Sequence, residues 1–167
     1  MISGHMDEIA FMVNHIDDKG FIRFIPLGGF DPKTLTAQRV IVHGKKDLLG
    51  VMGSKPIHIM TEEERKQGPK LEHYYIDVGL PVEKVKELVR IGDVVTRERE
   101  FVSVGDTVSC KSFDDRVGVY VMLEAFKQAK GHNVDVYLVG SVQEEVGIRG
   151  AQVAAQDIKP EIGRAHV

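Results

Sequence analysis

Hydrophobic and polar positions alternate over short stretches between residues 10 and 98. The runs Ala10–His15, Phe21–Pro26, Arg39–Val42, Gly50–Gly53 and Tyr74–Asp77 have the composition of half-buried strands. Between them stand Asp18-Lys19-Gly20, Gly28-Gly29 and Gly44-Lys45-Lys46-Asp47, sequences that turn a chain. Several short strands at this spacing predict a small barrel or sandwich. Two helical segments interrupt the pattern. Thr61–Lys66 is a charged, capped segment, a short helix or loop at the surface, and Pro81–Val89 carries apolar residues at helical spacing. Ile91–Val95 then returns to a strand.

Residues 99–167 follow a different grammar. The spacing predicts a helix over Arg116–Ala129, with Val117, Val121, Leu123, Ala125 and Phe126 on its apolar face and Gly131 ending it. Val134–Val142 is almost continuously apolar, the signature of a strand buried on both faces. A second helix starts within Gly147–Ala155. Helix, buried strand, polar tip and helix again is the order of an α/β layer with a mainly parallel sheet. Residues 1–9 read as the end of another buried strand followed by a polar cluster, so 1–9 and 99–167 are expected to form one α/β domain and 10–98 a β-rich insert. Both ends read as mid-sheet, and a fragment of a longer protein is expected.

Composition narrows the function. Hydrophobic residues at 43% can build a core, and a net charge of −3 gives no reason to expect nucleic acid or an anionic membrane as partner. No apolar run has the length of a membrane span, and Met1–Asp7 has neither a basic nor an apolar region, so secretion is not expected. Cys110 is alone and has no internal partner, which fits a reducing cytoplasm and an inert packing role.

Three polar clusters fall at the ends of predicted elements, where α/β sheets place their chemistry. In His5-Met6-Asp7-Glu8 an imidazole can meet a metal while the Asp two residues on fixes its orientation; a solvated turn explains the same residues. Phe113-Asp114-Asp115-Arg116 opens a helix, where an acid can cap the helix or bridge two cations. Gln143-Glu144-Glu145-Val146-Gly147 ends the apolar strand, and adjacent glutamates there can serve as metal ligand and general base, or as a helix cap. The remaining histidines, His15, His43, His58, His73 and His132, lack ligand spacing.

Together these motifs resemble the glutamyl aminopeptidase family, which includes the deblocking and tetrahedral (TET-type) aminopeptidases. The stretches that carry the resemblance are Gly4-His5-Met6-Asp7-Glu8 through Val13, Gln38-Arg39-Val40, Gly50 through His58 and Tyr75 through Gly79. Ile91-Gly92-Asp93, Asp114 through Gly118 and Gln143 through Ala151 complete the set. The resemblance implies a partial zinc-peptidase-like α/β/α catalytic domain with an inserted β-rich, PDZ-like or barrel domain used in dimerisation. It implies a hydrolase that removes N-terminal residues from peptides with two divalent metal ions, zinc or cobalt, in a cytoplasmic homo-oligomer. By motif match His5 ligates one metal, Asp114 bridges both and Glu145 ligates the other. Glu144 is the general base, Asp7 orients His5 or its metal, and Asp115 caps the helix.

The chain departs from the family pattern at its end. A further metal-ligating Asp is expected about where Val167 stands, and a final His lies beyond it; His166 is close to the expected Asp but is not assigned as a ligand. A second reading follows, in which the chain is a catalytically incomplete fragment acting as an oligomerisation or interaction module. Glycoside hydrolysis, suggested by cellulase and endoglucanase labels within the family, would need two carboxylates flanking a sugar.

Overall fold

The computed structural model describes residues 1–165. Two units divide the chain, one formed by Met1–Glu8 with the residues from Arg99 onward, the other by Ile9–Glu98. In chain order, β1 (Ile2–His5) belongs to the first unit. The second unit then holds β2 (Ala10–Ile16), β3 (Ile22–Leu27), β4 (Arg39–His43), β5 (Asp47–Gly53), α1 (Glu62–Gln67), β6 (Tyr75–Asp77), α2 (Val82–Leu88) and β7 (Val94–Arg97). Back in the first unit come β8 (Val102–Val104), β9 (Thr107–Ser109), α3 (Phe113–Gln128), β10 (Leu138–Ser141), α4 (Arg149–Ile158) and β11 (Arg164–Ala165).

The second unit is a closed antiparallel barrel in the order β2-β3-β6-β5-β4-β7. Alternation explains the inside. Val40 and Val42 of β4 are fully buried while Arg39 and His43 on either side of them face out. On β5 the inward set is Leu48, Gly50 and Met52, and a Cβ on Gly50 would lie 2.6 Å from the Ile76 methyl, so a larger residue does not fit. Val85 of α2 and the following Val89 join this core. The expected capped segment is a helix: the Thr61 hydroxyl accepts from the Glu64 N–H at 3.2 Å and the Glu64 carboxylate from the Thr61 N–H at 2.7 Å. Phe11 anchors the barrel, fully buried between Phe30, stacked at 4.0 Å, and Phe24, edge-on at 4.8 Å. Phe11→Ala is expected to lower the unfolding free energy by about 3–5 kcal/mol in a urea titration; a loss below about 1 kcal/mol would show that the barrel collapses around the vacancy.

In the first unit β1 lies between β10 and β11, all parallel. α3 packs on β1, and α4 on β10. Two expectations fail here. The strand predicted over Val134–Val142 is confined to Leu138–Ser141, and Val134, Tyr137 and Val142 are exposed. On α3 the expected apolar face is also out in solvent: Val117, Val121, Leu123 and Phe126 are exposed, whereas Met122 is buried. The cause is cover. A three-stranded sheet with two helices has too little material to bury both strand faces and the flanks of a long helix. The second helix begins at Arg149, inside the predicted stretch, because Gly147 and Ile148 both take positive φ. β8 and β9 form a two-stranded hairpin of exposed residues that the pattern reading left out. His166 and Val167, where the family's further ligand is expected, lie outside the described residues. No helix among the described residues is long and apolar enough to cross a membrane.

Candidate metal centre

Parallel pairing sets the site. His5, the last residue of β1, lies in register with Ser141, the last of β10, so the chain leaves both strands at the same sheet end. Met6–Glu8 and Val142–Glu145 therefore emerge side by side. The start of α3 supplies the third segment, and two glycines let it come close. A Cβ on Gly4 would lie 3.0 Å from the Asp115 carboxylate, and one on Gly118 would lie 2.1 Å from it. Asp115 is buried between them, accepting from the Gly118 N–H at 3.0 Å and from the His5 N–H at 3.4 Å. That first contact is an N-cap on the regular part of α3, which begins after the non-helical Asp114 and Asp115. The Asp114–Asp115 peptide bond is cis.

Around this frame the five candidate residues meet. Ligand atoms of His5, Asp114 and Glu145 all lie within 4.8 Å of one another. His5 Nε2 is 3.0 Å from Asp114 Oδ1 and 3.8 Å from Glu144 Oε2. His5 Nδ1 is 3.1 Å from the Asp7 carbonyl oxygen. A carbonyl can only accept, so Nδ1 carries the hydrogen and the neutral ring turns the Nε2 lone pair toward the carboxylates. A lone pair facing anionic oxygens is repulsive unless a proton or a cation stands between them. The donor set of one imidazole and surrounding carboxylates therefore fits a divalent ion of the zinc type.

Asp7 does more than the sequence suggested. It touches His5 mainly through its main-chain carbonyl, while its carboxylate accepts from the Glu144 N–H at 3.2 Å and the Glu145 N–H at 3.3 Å. One side chain thus fixes the backbone of both glutamates, helped by Gln143 in a positive-φ conformation. The spacing of the motifs held no sign of this, because the contact joins residues 137 and 138 positions apart. One pairing went unnoticed for the same reason: Glu8, of the first polar cluster, and Lys111 form a largely buried ion pair beside the site. Of the other histidines, His43 is held on the barrel surface by Asp47 and Thr96, and none joins the donor group among the described residues.

Protonation reflects the crowding of negative charge. Burial works to lower the His5 pKa, but the hydrogen bond to Asp114, the Asp7 carbonyl and the charges of Glu144 and Asp7 outweigh it and raise it above the ordinary value. Glu145 is also raised, first by burial and then by the neighbouring Asp114 charge, with His5 pulling the other way. Both shifts favour the protonated forms, the direction expected where negative charge is crowded.

Comparison with known proteins places this architecture among the aminopeptidases. The chain belongs to the M42 glutamyl aminopeptidase family, whose model matches residues 1–165. It is 40% identical over 171 residues to a lysyl aminopeptidase of Pyrococcus furiosus, covering 99% of this chain and 49% of that relative. Among solved structures it is similar to an aminopeptidase from the archaeon Desulfurococcus kamchatkensis, with a TM-score of 0.87 and 44% identity over 99% of this chain and 46% of that one. A TET peptidase of Pyrococcus horikoshii that can assemble into a tetrahedron or a large octahedral shell matches with a TM-score of 0.81 and 33% identity, covering 98% of this chain and 51% of that one. The chain spans about half the length of the curated relatives it matches.

Proposed function

We propose that this chain carries part of the centre of a two-metal aminopeptidase that removes N-terminal residues from peptides. The observation that carries the reading is the convergence of His5, Asp114 and Glu145 within 4.8 Å at one sheet end. In this reading His5 and Glu145 would each hold one divalent ion, zinc or cobalt, and Asp114 would be their shared ligand. When bound, the ions supply Lewis-acid polarisation of the scissile carbonyl and a lowered pKa for the attacking water. Glu144 takes the proton of that water on its carboxylate and returns it to the leaving amine. Asp7 keeps Glu144 and Glu145 in place through their main-chain N–H groups. With three donors among the described residues, two ions would receive two protein ligands each, fewer than the three usual at catalytic zinc. Turnover is therefore assigned to a protein extended to the length of its relatives, and the 167-residue chain alone is expected to show little.

The remaining parts of the reading concern assembly and place. Residues 1–9 and 99–167 act as the catalytic portion, and 10–98 as a PDZ-like insert through which copies associate, as expected of a relative of shell-forming peptidases. A cytoplasmic location fits the lone Cys110.

The pH dependence of zinc uptake tests the donor set. Because the His5 pKa is raised in the folded, metal-free chain, its contribution to stability is present below the unfolded value and is lost as pH rises through the folded one. Zinc must displace that proton, and below the folded Glu145 pKa a second. Affinity is expected to fall about tenfold per pH unit per displaced proton as pH drops below the raised His5 value. Calorimetric titrations in two buffers of different ionisation enthalpy count the protons released; zinc binding that is flat from about pH 5 to 8 would contradict the assignment of His5.

A further inference from the structure

The mechanism leaves the Glu8–Lys111 pair unused, although it sits between two segments that carry the donors. Glu8 follows Asp7, and Lys111 stands three positions before Asp114. Their side chains are 13% and 24% exposed, and the Lys111 ammonium contacts Glu8 Oε1 directly. The second carboxylate oxygen, Glu8 Oε2, is buried with no hydrogen-bond partner among the described residues. This carboxylate thus leans on Lys111 for its compensation. Asp114 needs such support. Its side chain is 79% exposed and meets His5 Nε2, and its backbone is non-helical at the mouth of α3. A bridging ligand so weakly held by packing takes its position from the segment that leads into it. Arg116 adds a lighter tie from the other side, its Nε donating to the Met6 carbonyl at 3.2 Å.

From this arrangement we infer that Glu8 and Lys111 are positioning residues, a latch that fixes the distance between the His5–Asp7 segment and Asp114 and so sets the affinity of the site for divalent cations. The inference rests on the metal-site reading of His5, Asp114 and Glu145. It differs from a simple charge effect in a way that can be measured. If the two residues acted only through their fields, removing the Lys111 cation would strengthen cation binding and removing the Glu8 anion would weaken it. A latch predicts that both substitutions weaken it. A double variant that neutralises both leaves the net charge of the site region unchanged, so any loss it shows is positional.

The test uses the 167-residue chain with zinc, read by competition against a chromophoric chelator, and with cobalt(II), read by visible absorption. Circular dichroism checks that each variant is folded. Lys111→Met and Glu8→Gln are each expected to lower zinc affinity about ten- to a hundredfold, in the range for groups that orient metal ligands. The double Glu8→Gln/Lys111→Met variant leaves no lone buried charge and is expected to fold even where Lys111→Met does not. It too should lose at least about tenfold in zinc affinity and show an altered cobalt spectrum. Lys111→Arg, which keeps the charge, should recover most of the affinity. An unchanged affinity and cobalt spectrum in the double variant would overturn the latch, as would tighter binding by Lys111→Met. Failure of the unsubstituted chain to bind either ion would instead overturn the metal-site reading, and the latch with it.

Discussion

Replacing Glu144 with Gln is expected to lower peptide hydrolysis by about 10²–10⁴-fold while leaving bound metal unchanged, in a protein extended to the length of its relatives. Gln keeps the size and the main-chain N–H through which Asp7 holds this position, so the geometry of the neighbouring Glu145 is preserved. What disappears is basicity. Glu144 points its Oε2 into the donor group, 3.8 Å from His5 Nε2, and its side chain is only 13% exposed. In the proposed reading this carboxylate takes the proton of the attacking water, which an amide cannot accept. Loss in kcat with little change in KM is the expected split, since the role assigned to Glu144 is proton transfer. Retention of more than about a tenth of the activity would remove Glu144 from the role of base. Loss of metal together with activity would make it a ligand instead.

How far the sequence carried depended on whether each feature was local. Barrel strands were legible because alternation is a local signal: Val40 and Val42 in, Arg39 and His43 out, as the period of two requires. Thr61 and Glu64 announced a helix start within four residues. The polar clusters containing His5, Asp114 and Glu145 were also visible, because each follows or opens an element whose end the pattern marks. Features that depend on distant partners were not. The exposure of Val134, Tyr137 and Val142 could not be read from an apolar run, since burial depends on how many layers cover the strand. On α3 the buried line runs through Asp115 and Met122, because Gly4 and Gly118 let that side approach β1 most closely. The larger apolar residues that dominate the periodicity point elsewhere. The hairpin of β8 and β9 was within reach, as Val102-Ser103-Val104 and Thr107-Val108-Ser109 alternate around Gly105-Asp106. Asp7 gripping the N–H groups of Glu144 and Glu145 had no local trace at all.

The other large effect is expected at His5, whose replacement by Gln should weaken zinc binding by at least about a hundredfold, more than the loss of a group that only orients a ligand. The imidazole is almost fully buried, so its Nε2 direction is set by β1, by the Asp7 carbonyl behind Nδ1 and by the start of α3. Gln fills similar space but offers an amide oxygen, a poor partner for zinc compared with an imidazole nitrogen. Asp114→Asn should also bind weakly, because the side chain loses the charge that a bridging position needs. Glu145→Gln should weaken uptake as well, while keeping the acid sensitivity that His5 imposes. Secondary structure should persist in all three, since none of these side chains belongs to the apolar core. The most direct measurement is a cobalt(II) titration of the 167-residue chain followed by visible absorption, run beside the His5→Gln, Asp114→Asn and Glu145→Gln variants. Saturable uptake with d–d bands in the unsubstituted chain, lost or shifted in each variant, is the predicted result; a folded His5→Gln variant that titrates with the same bands and midpoint as the parent would contradict the metal centre.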